Sequence, residues 1–163
     1  LTMAVNISGS HLAAPRVGEF VCSLLKKYNL QASDLTVELT ESVLLSDIDS
    51  ENSPAEQMTS QGVKLSIDDF GTGYSSLAYL HAIPASIVKV DKTFLKQIES
   101  NTATLECIHQ LVSSLSMKSL IEGIETQHQS ELLEKLGFNL QQGFYLGRPQ
   151  PLDYYFSEAF TLK

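Results

Sequence analysis

The sequence predicts an α/β fold in which a parallel sheet curls into a barrel, and two observations carry this prediction. Short runs of β-branched and aliphatic residues alternate with stretches that place apolar residues at helical spacing, which is typical of βα units around a parallel sheet. Each run also ends close to a polar residue. An open sheet collects ligands where its strand order reverses, whereas a barrel gathers all its strand ends at one mouth, so the repeated polar ends favour a barrel.

Six strands are predicted, in the runs "TMAVNIS", "LTVELTE", "VKLSIDD", "SIVKVD", "SLIEGIE" and "LQQGFYLG". Helices are predicted in "VGEFVCSLLKKYNL", "SSLAYLHAI", "TLECIHQLVSSLSM" and "QSELLEKLGF". Gly137 marks the end of the last of these helices, and a further helix is predicted to begin near Pro54. Barrels of this kind have eight strands and about 250 residues. We therefore expect one domain over residues 1–163 that lacks about two strands before Leu1.

The composition narrows the classes of function. The chain has 163 residues and a formal net charge of −8, which argues against binding to nucleic acids or to anionic membrane surfaces. No apolar run approaches the roughly 20 residues of a membrane span, so no membrane contact is expected of this segment. Cys22 and Cys107 give no disulfide framework, and a reducing cytoplasm is the expected location.

The pair Asp68 and Asp69 stands out among the polar strand ends. A single aspartate in this position is commonly part of a turn or a helix cap, and the glycines that follow agree with a turn. Two adjacent carboxylates repel each other unless a cation or a base lies between them, which favours a ligand site. With Asn6, Glu38 and Glu122 at equivalent strand ends, the set has only oxygen donors, which prefer Mg²⁺ or Mn²⁺ to zinc.

Lys89 lies within the predicted strand "SIVKVD". Its neighbours Val88 and Val90 are expected to face the helices, so that the lysine side chain points into the barrel mouth. Two roles remain open at this level. Lys89 either forms a structural ion pair with Asp91 or another carboxylate, or it orients a water and stabilises charge that develops on a phosphate.

Other motifs are weaker. "GTGYSS" followed by Asp91 resembles a dinucleotide-binding fingerprint, but the two preceding aspartates would place negative charge beside a bound pyrophosphate. "DFG" appears without the other kinase motifs, and "GYSSL" is not a G-x-S-x-G elbow. The histidines lack zinc-site spacing and are expected to serve surface or packing roles: His11, His81, His109 and His128.

Six motifs, taken in order, carry a resemblance to a known family: "AVNIS", "VELTES", "IDDFGTGYSSLAYL", "VKVDKTF", "EGIET" and "QGFYLGRPQP". With them the chain resembles the EAL domain family, bacterial phosphodiesterases that hydrolyse cyclic di-GMP to linear pGpG. The resemblance implies a TIM-like barrel with one antiparallel strand. It also implies Mg²⁺ or Mn²⁺ at the barrel mouth and attack by water on one phosphodiester.

The resemblance also implies residue roles. Metal ligands are implied at three strand ends: Asn6, Glu38, Asp68 and Asp69. Glu122 is implied as a further ligand or as the general base, and Lys89 as the residue that holds the catalytic water. Three more residues have implied supporting roles, Glu41 as the anchor of the loop that begins at Phe70, Glu125 as a support of the site, and Gln142 in the lining of the substrate pocket.

One departure from the family concerns activity. The Glu-Ala-Leu motif that names the family lies on a strand upstream of "AVNIS", and its glutamate, a metal ligand, is not in this sequence. We therefore expect weak or no hydrolysis by this polypeptide alone. The alternative function is a non-catalytic cyclic di-GMP receptor or a protein-interaction module of the same fold.

The resemblance bears on assembly as well. A six-stranded part of a barrel has open edges, which proteins normally pair or cover. We expect dimerisation, strand exchange or additional upstream residues, and the family implies a homodimer formed through the loop and helix after Asp69. Sensory or GGDEF-type domains are expected upstream in the full-length protein, which could be anchored to a membrane through segments that this sequence lacks.

Overall fold

The computed structural model describes residues 2–156 except residues 15, 49–52, 73–79 and 100. Within these ranges, the strands are β1 Met3–Asn6, β2 Leu35–Thr40, β3 Lys64–Phe70, β4 Ile87–Val90, β5 Lys118–Ile121 and β6 Leu140–Gln141. The helices are α1 Gly9–Leu12, α2 Val17–Lys27, α3 Glu41–Ile48, α4 Pro54–Ser60, α5 Ala103–Ser114, α6 Gln127–Lys135 and α7 Leu152–Phe156. Two 3₁₀ helices span Ala32–Asp34 and Lys92–Gln97.

The sheet follows chain order from β1 to β6, and every neighbouring pair of strands is parallel. In a doubly wound sheet the order reverses partway, so this order supports the barrel rather than the open sheet. The six strands curl into an incomplete barrel, as predicted. The antiparallel strand that the resemblance implies is not among these six strands.

Alternate residues of the strands form the core. Val37, Leu65, Ile67 and Val88 are at most 1% exposed and pack in one cluster with apolar residues of the helices, such as Leu44. A second cluster lies under β4 and β5, and its most buried members are Val90, Leu105, Ile121, Ile124, Leu133 and Phe138. Burial of these side chains stabilises one face of the sheet against the helices. The other, concave face carries the remaining, mostly polar positions.

Local signals set several boundaries where the sequence predicts them. α4 begins at Pro54, and the Ser53 hydroxyl accepts a hydrogen bond from the Glu56 backbone N–H. Gly137 follows α6 with φ of +95°, a left-handed conformation, and a Cβ there would lie 2.8 Å from Nε2 of His109. The predicted helix "SSLAYLHAI" lies mostly outside the described residues.

Two strands are shorter than predicted. β5 ends at Ile121 because Gly123 adopts φ of +76° and turns the chain. β6 ends at Gln141, and the chain then turns so that the backbone N–H groups of Leu146 and Gly147 both donate to Gly143. Among the described residues, no helix is long and apolar enough to cross a membrane.

Candidate active site

Polar side chains collect on the concave face because the strands alternate in sequence. On β4, Val88 and Val90 are fully buried against the helices, so the Lys89 side chain between them points to the opposite face, as predicted. On β3, Ser66 and Asp68 flank the buried Ile67 in the same way. The parallel register therefore brings the polar ends of neighbouring strands together.

Lys89 lies at the centre of this group. Its Nζ is 2.8 Å from Asp68 Oδ1, 2.8 Å from Glu122 Oε1 and 3.0 Å from Glu38 Oε2. The three carboxylates come from β3, from the residue after β5, and from β2, so one ammonium group links three parts of the sheet. Of the two roles left open by the sequence, the ion pair is present, with these carboxylates as partners.

The surroundings hold Lys89 in its charged form. Burial by itself lowers the pKa of the lysine, but hydrogen bonds to Asp68, Glu122 and Glu38 together outweigh burial and raise that pKa well above its ordinary value. Lys89 therefore remains a cation throughout the physiological pH range. It can donate hydrogen bonds and stabilise negative charge, but it cannot serve as a general base.

A β-bulge changes the direction of Asp69. Ile67 pairs with Val88 and Phe70 pairs with Val90, so β3 contains one residue more than β4 between these two pairs. Asp69 lies in this bulge with φ of +53°, a left-handed conformation that aspartate tolerates better than most residues. Regular alternation would send the two aspartates to opposite faces, whereas the bulge allows both carboxylates to reach the same site.

The result is a group of oxygen donors with the spacing of a metal site. Asp68, Asp69 and Glu122 each offer a carboxylate oxygen, and these oxygens lie within 4.8 Å of one another. An all-carboxylate set suits the hard cations Mg²⁺ and Mn²⁺, so the donors present fit the predicted metal. Among the described residues no histidine belongs to such a group. His109 instead places its Nδ1 atom 2.7 Å from Ser119 Oγ, and its ring packs against Phe138.

Two predicted ligands lie at the β1–β2 side of the group. Glu38 is bound to Lys89, and its register partner on β1 is Asn6. Asn6 is exposed at the end of the edge strand. The structure thus places Asn6 beside Glu38, while its role as a metal ligand stays a prediction.

Backbone hydrogen bonds position Glu122 and Gln142. The Glu122 N–H donates to Val90 O at 3.1 Å, and the Gln142 N–H donates to Ile121 O at 2.9 Å. A Cβ on Gly143 would lie 2.1–2.6 Å from the backbone of Ile124, so only glycine permits this close approach of the two loops. Gln142 is exposed at the strand-end edge, where the predicted substrate pocket would lie.

Glu41 and Glu125 lie farther out. Glu41 is the first residue of α3 and lines a cavity of about 440 Å³ together with Asp68, Asp69 and Thr72. The cavity adjoins the start of the loop that Glu41 is predicted to anchor, but residues 73–79 of that loop lie outside the described residues. Glu125 is exposed, and its backbone N–H donates to the Gln129 side chain at the start of α6.

Sequence reasoning missed the bulge and the buried Ser66. Ser66 is 1% exposed and is a register partner of Glu38, and its hydroxyl has no hydrogen-bond partner among the described residues. The alternation in "KLSID" could have indicated its position under the charged group. Asp91, the acidic residue of the weak dinucleotide fingerprint, instead caps the 3₁₀ helix after β4 by accepting the Thr93 backbone N–H at 2.9 Å.

Comparison with known proteins identifies a family and several relatives. The model of the EAL domain matches residues 1–149. The bifunctional diguanylate cyclase/cyclic di-GMP phosphodiesterase MucR of Pseudomonas aeruginosa is 41% identical over 154 residues, which are 93% of this chain and 22% of MucR. The probable cyclic di-GMP phosphodiesterase PdeA of Escherichia coli is 35% identical over 152 residues, or 91% of this chain and 21% of PdeA.

Solved structures of EAL proteins are also similar to this chain. The PaMucR phosphodiesterase in complex with c-di-GMP superimposes with a TM-score of 0.86 at 40% identity, covering 94% of this chain and 63% of that one. The manganese/cy-diGMP complex of Klebsiella pneumoniae BlrP1 gives a TM-score of 0.82 at 27% identity, covering 91% of this chain and 39% of that one. The chain spans about a fifth of the length of the curated relatives named above. By fold and by sequence, it belongs to the EAL domain family.

Proposed function

We propose that the protein containing this chain hydrolyses cyclic di-GMP to linear pGpG with a metal-activated water, and that this chain supplies most of the catalytic domain. The observation that carries the proposal is the convergence of Asp68, Asp69 and Glu122 around Lys89 on the concave face. The names of the relatives support the choice of substrate, since MucR is a bifunctional diguanylate cyclase/cyclic di-GMP phosphodiesterase and PdeA is a probable cyclic di-GMP phosphodiesterase.

In this proposal Asp68, Asp69 and Glu122 hold Mg²⁺ or Mn²⁺, with Glu38 and Asn6 as further ligands from the adjoining strands. When bound, the metal supplies a Lewis acid that activates water and neutralises charge on the phosphoryl oxygens. The donor set does not distinguish Mg²⁺ from Mn²⁺. The BlrP1 complexes, one with manganese and one with calcium, support a divalent cation in this family.

The side chains of this chain then have separate tasks. Lys89, as an ammonium group, donates a hydrogen bond that orients the attacking water and stabilises charge on the phosphate. Glu122, when it is not a ligand, accepts the proton of that water as the general base. The water oxygen bonds to phosphorus, the bond from phosphorus to the ribose 3′ oxygen breaks, and a proton reaches that leaving oxygen.

The remaining predicted residues have supporting tasks. Gln142 lines the substrate pocket at the end of β6, and Glu125 supports the loop that carries Glu122. Glu41 anchors the loop that begins at Phe70, next to the cavity that Glu41 shares with the two aspartates. These three assignments rest on the family motifs and on the positions of the residues at one edge of the sheet.

The alternative is a non-catalytic cyclic di-GMP receptor or protein-interaction module. The observation in its favour is that this chain covers 63% of the PaMucR phosphodiesterase chain, so part of that chain has no counterpart here. We propose that residues 1–163 form a single EAL-type domain truncated at its N-terminus, and that the remaining strands carry the Glu-Ala-Leu glutamate.

The two functions are separated by measuring pGpG formation with Mg²⁺ and with Mn²⁺. We expect weak or no turnover by the 163-residue chain and metal-dependent turnover by the gene product that includes the Glu-Ala-Leu strand. Binding of cyclic di-GMP by that longer protein without hydrolysis would support the receptor instead. Rapid turnover by the 163-residue chain, verified by intact mass, would contradict the proposed need for the additional glutamate.

Further proposals concern assembly and location. We propose a homodimer in which the loop and helix after Asp69 take part, although residues 73–79 of that region lie outside the described residues. The bifunctional name of MucR supports a cyclase or sensory domain upstream in the full-length protein. A cytoplasmic location suits Cys22 and Cys107, which are both free thiols.

A further inference from the structure

Lys89 contacts more partners than a lysine that only orients one water would need. Its side chain is 6% exposed and contacts three carboxylates at 2.8–3.0 Å, whereas a water-orienting lysine needs one free donor directed at the water. An ammonium group has three N–H donors, and Lys89 donates hydrogen bonds to Asp68 and Glu38 while it also forms an ion pair with Glu122. In this arrangement the lysine is fully engaged in holding the site together.

The lysine and the candidate metal also share ligands. Asp68 and Glu122 belong both to the set that contacts Lys89 and to the set whose oxygens lie within 4.8 Å of one another. With Glu38 and Asp69 the group holds four carboxylates and one ammonium. Without the lysine, these like charges would have no described cation among them and would repel one another.

We propose that Lys89 is the internal counter-ion of the metal-free site, holding Glu38, Asp68 and Glu122 together until a divalent cation takes over Asp68 and Glu122. This inference rests on the proposed function, since it assumes that a divalent cation binds these carboxylates. The lysine preassembles the ligands at a cost in cation affinity, because a positive charge already neutralises part of the group. Cation binding then frees Lys89 donors for the water that the proposed reaction uses.

The test compares the wild-type chain with Lys89→Met, which keeps the unbranched side chain as far as Cε and removes the charged ammonium group. Melting temperature and Mn²⁺ affinity are measured with MnCl₂ alone, by calorimetry and by the electron paramagnetic resonance signal of free Mn²⁺. Without metal we expect Lys89→Met to melt about 5–10 °C lower. With MnCl₂ we expect it to bind Mn²⁺ at least about fivefold more tightly than the wild type and to recover most of the lost melting temperature.

Two further variants complete the design. Lys118→Met is the matched control, because Lys118 lies on β5, is exposed and forms no ion pair with the residues that the structure describes. Lys118→Met should leave the melting temperature and the Mn²⁺ affinity unchanged. Lys89→Arg keeps the charge, so its metal-free melting temperature should stay closer to the wild type than that of Lys89→Met, and its Mn²⁺ affinity should stay low.

The outcomes separate this inference from the proposed function. If the wild-type chain binds no Mn²⁺, the proposed metal site itself fails. If the wild type binds Mn²⁺ and Lys89→Met binds it equally or more weakly, the counter-ion role is wrong while the metal site stands. A Lys89→Met chain that folds only with Mn²⁺ supports the counter-ion role, and one that stays unfolded in saturating Mn²⁺ contradicts it.

Discussion

The two faces of the central strands differ in what each residue contributes. Val37, Ile67 and Val88 face the helices, are at most 1% exposed, and stabilise the fold through burial. Residues one position away, such as Asp68 and Lys89, face the concave side and form ion pairs there. Strands of fully covered parallel sheets normally read as continuous apolar runs. Polar alternation in a parallel sheet therefore marks the side on which a site is built.

The largest effect expected from this comparison is on turnover. Asp68→Asn keeps the shape of the side chain and removes the charge that contacts Lys89 and belongs to the candidate metal group. Under the proposed function, we expect pGpG formation by the longer protein to fall about 10²–10³-fold. The matched control is Asp91→Asn, which changes an aspartate on the same sheet edge that caps a 3₁₀ helix. That variant should retain activity within about twofold, and an equal loss in both would contradict the proposed site.

Substitutions on the helix-facing side of the strands should lower the stability of the fold. Ile67→Ala removes a fully buried side chain from β3 between Ser66 and Asp68. We expect the free energy of unfolding, measured by urea denaturation, to fall by about 2–5 kcal/mol. Met3→Ala on the exposed edge strand, where Met3 is 52% exposed, should change it by less than about 0.5 kcal/mol. Equal changes in the two variants would show that the buried face does not dominate stability.

The smallest effect concerns the cap at the end of β4. A hydrogen bond with the Thr93 side chain, assisted by the Thr93 backbone N–H, lowers the pKa of the Asp91 carboxyl below its ordinary value. Because the folded-state pKa is depressed, the stabilisation is present above the unfolded pKa of about 3.9 and is lost as pH falls through the folded pKa. Asp91→Ala should therefore lower the free energy of unfolding by about 1 kcal/mol at pH 7. The difference should shrink below about pH 4.

Asparagine provides the control for that pH dependence. Asp91→Asn can still accept the Thr93 N–H but carries no charge, so its free energy of unfolding at pH 7 should lie between those of Asp91→Ala and the wild type, and residue 91 should no longer contribute a pH dependence. Chemical denaturation at pH 7 and near pH 3.5 measures all three chains. If the deficit of Asp91→Ala were the same at both pH values, the charge on Asp91 would contribute nothing to the cap.

Much of the fold and of the site can be predicted from local sequence patterns. Alternation in "KLSID" and "SIVKVD" determines which side chains face the helices, because successive residues of a strand point to opposite faces. Pro54 and Gly137 mark helix boundaries through their own backbone preferences. The six motifs, taken in order, were sufficient to predict the family and the incomplete barrel, which the family model and the strand order confirm.

The tertiary structure decided what depends on partners distant in the chain. The bulge that turns Asp69 toward Asp68 exists only as a change of register between β3 and β4, and no local pattern in "IDDFG" specifies it. The partners of Lys89 lie on β2, on β3 and after β5, so the choice of these three over the nearby Asp91 needed the assembled sheet. The sequence determined which residues carry charge, and long-range strand pairing determined which charges meet, because ion pairs depend on distances that only the folded chain defines.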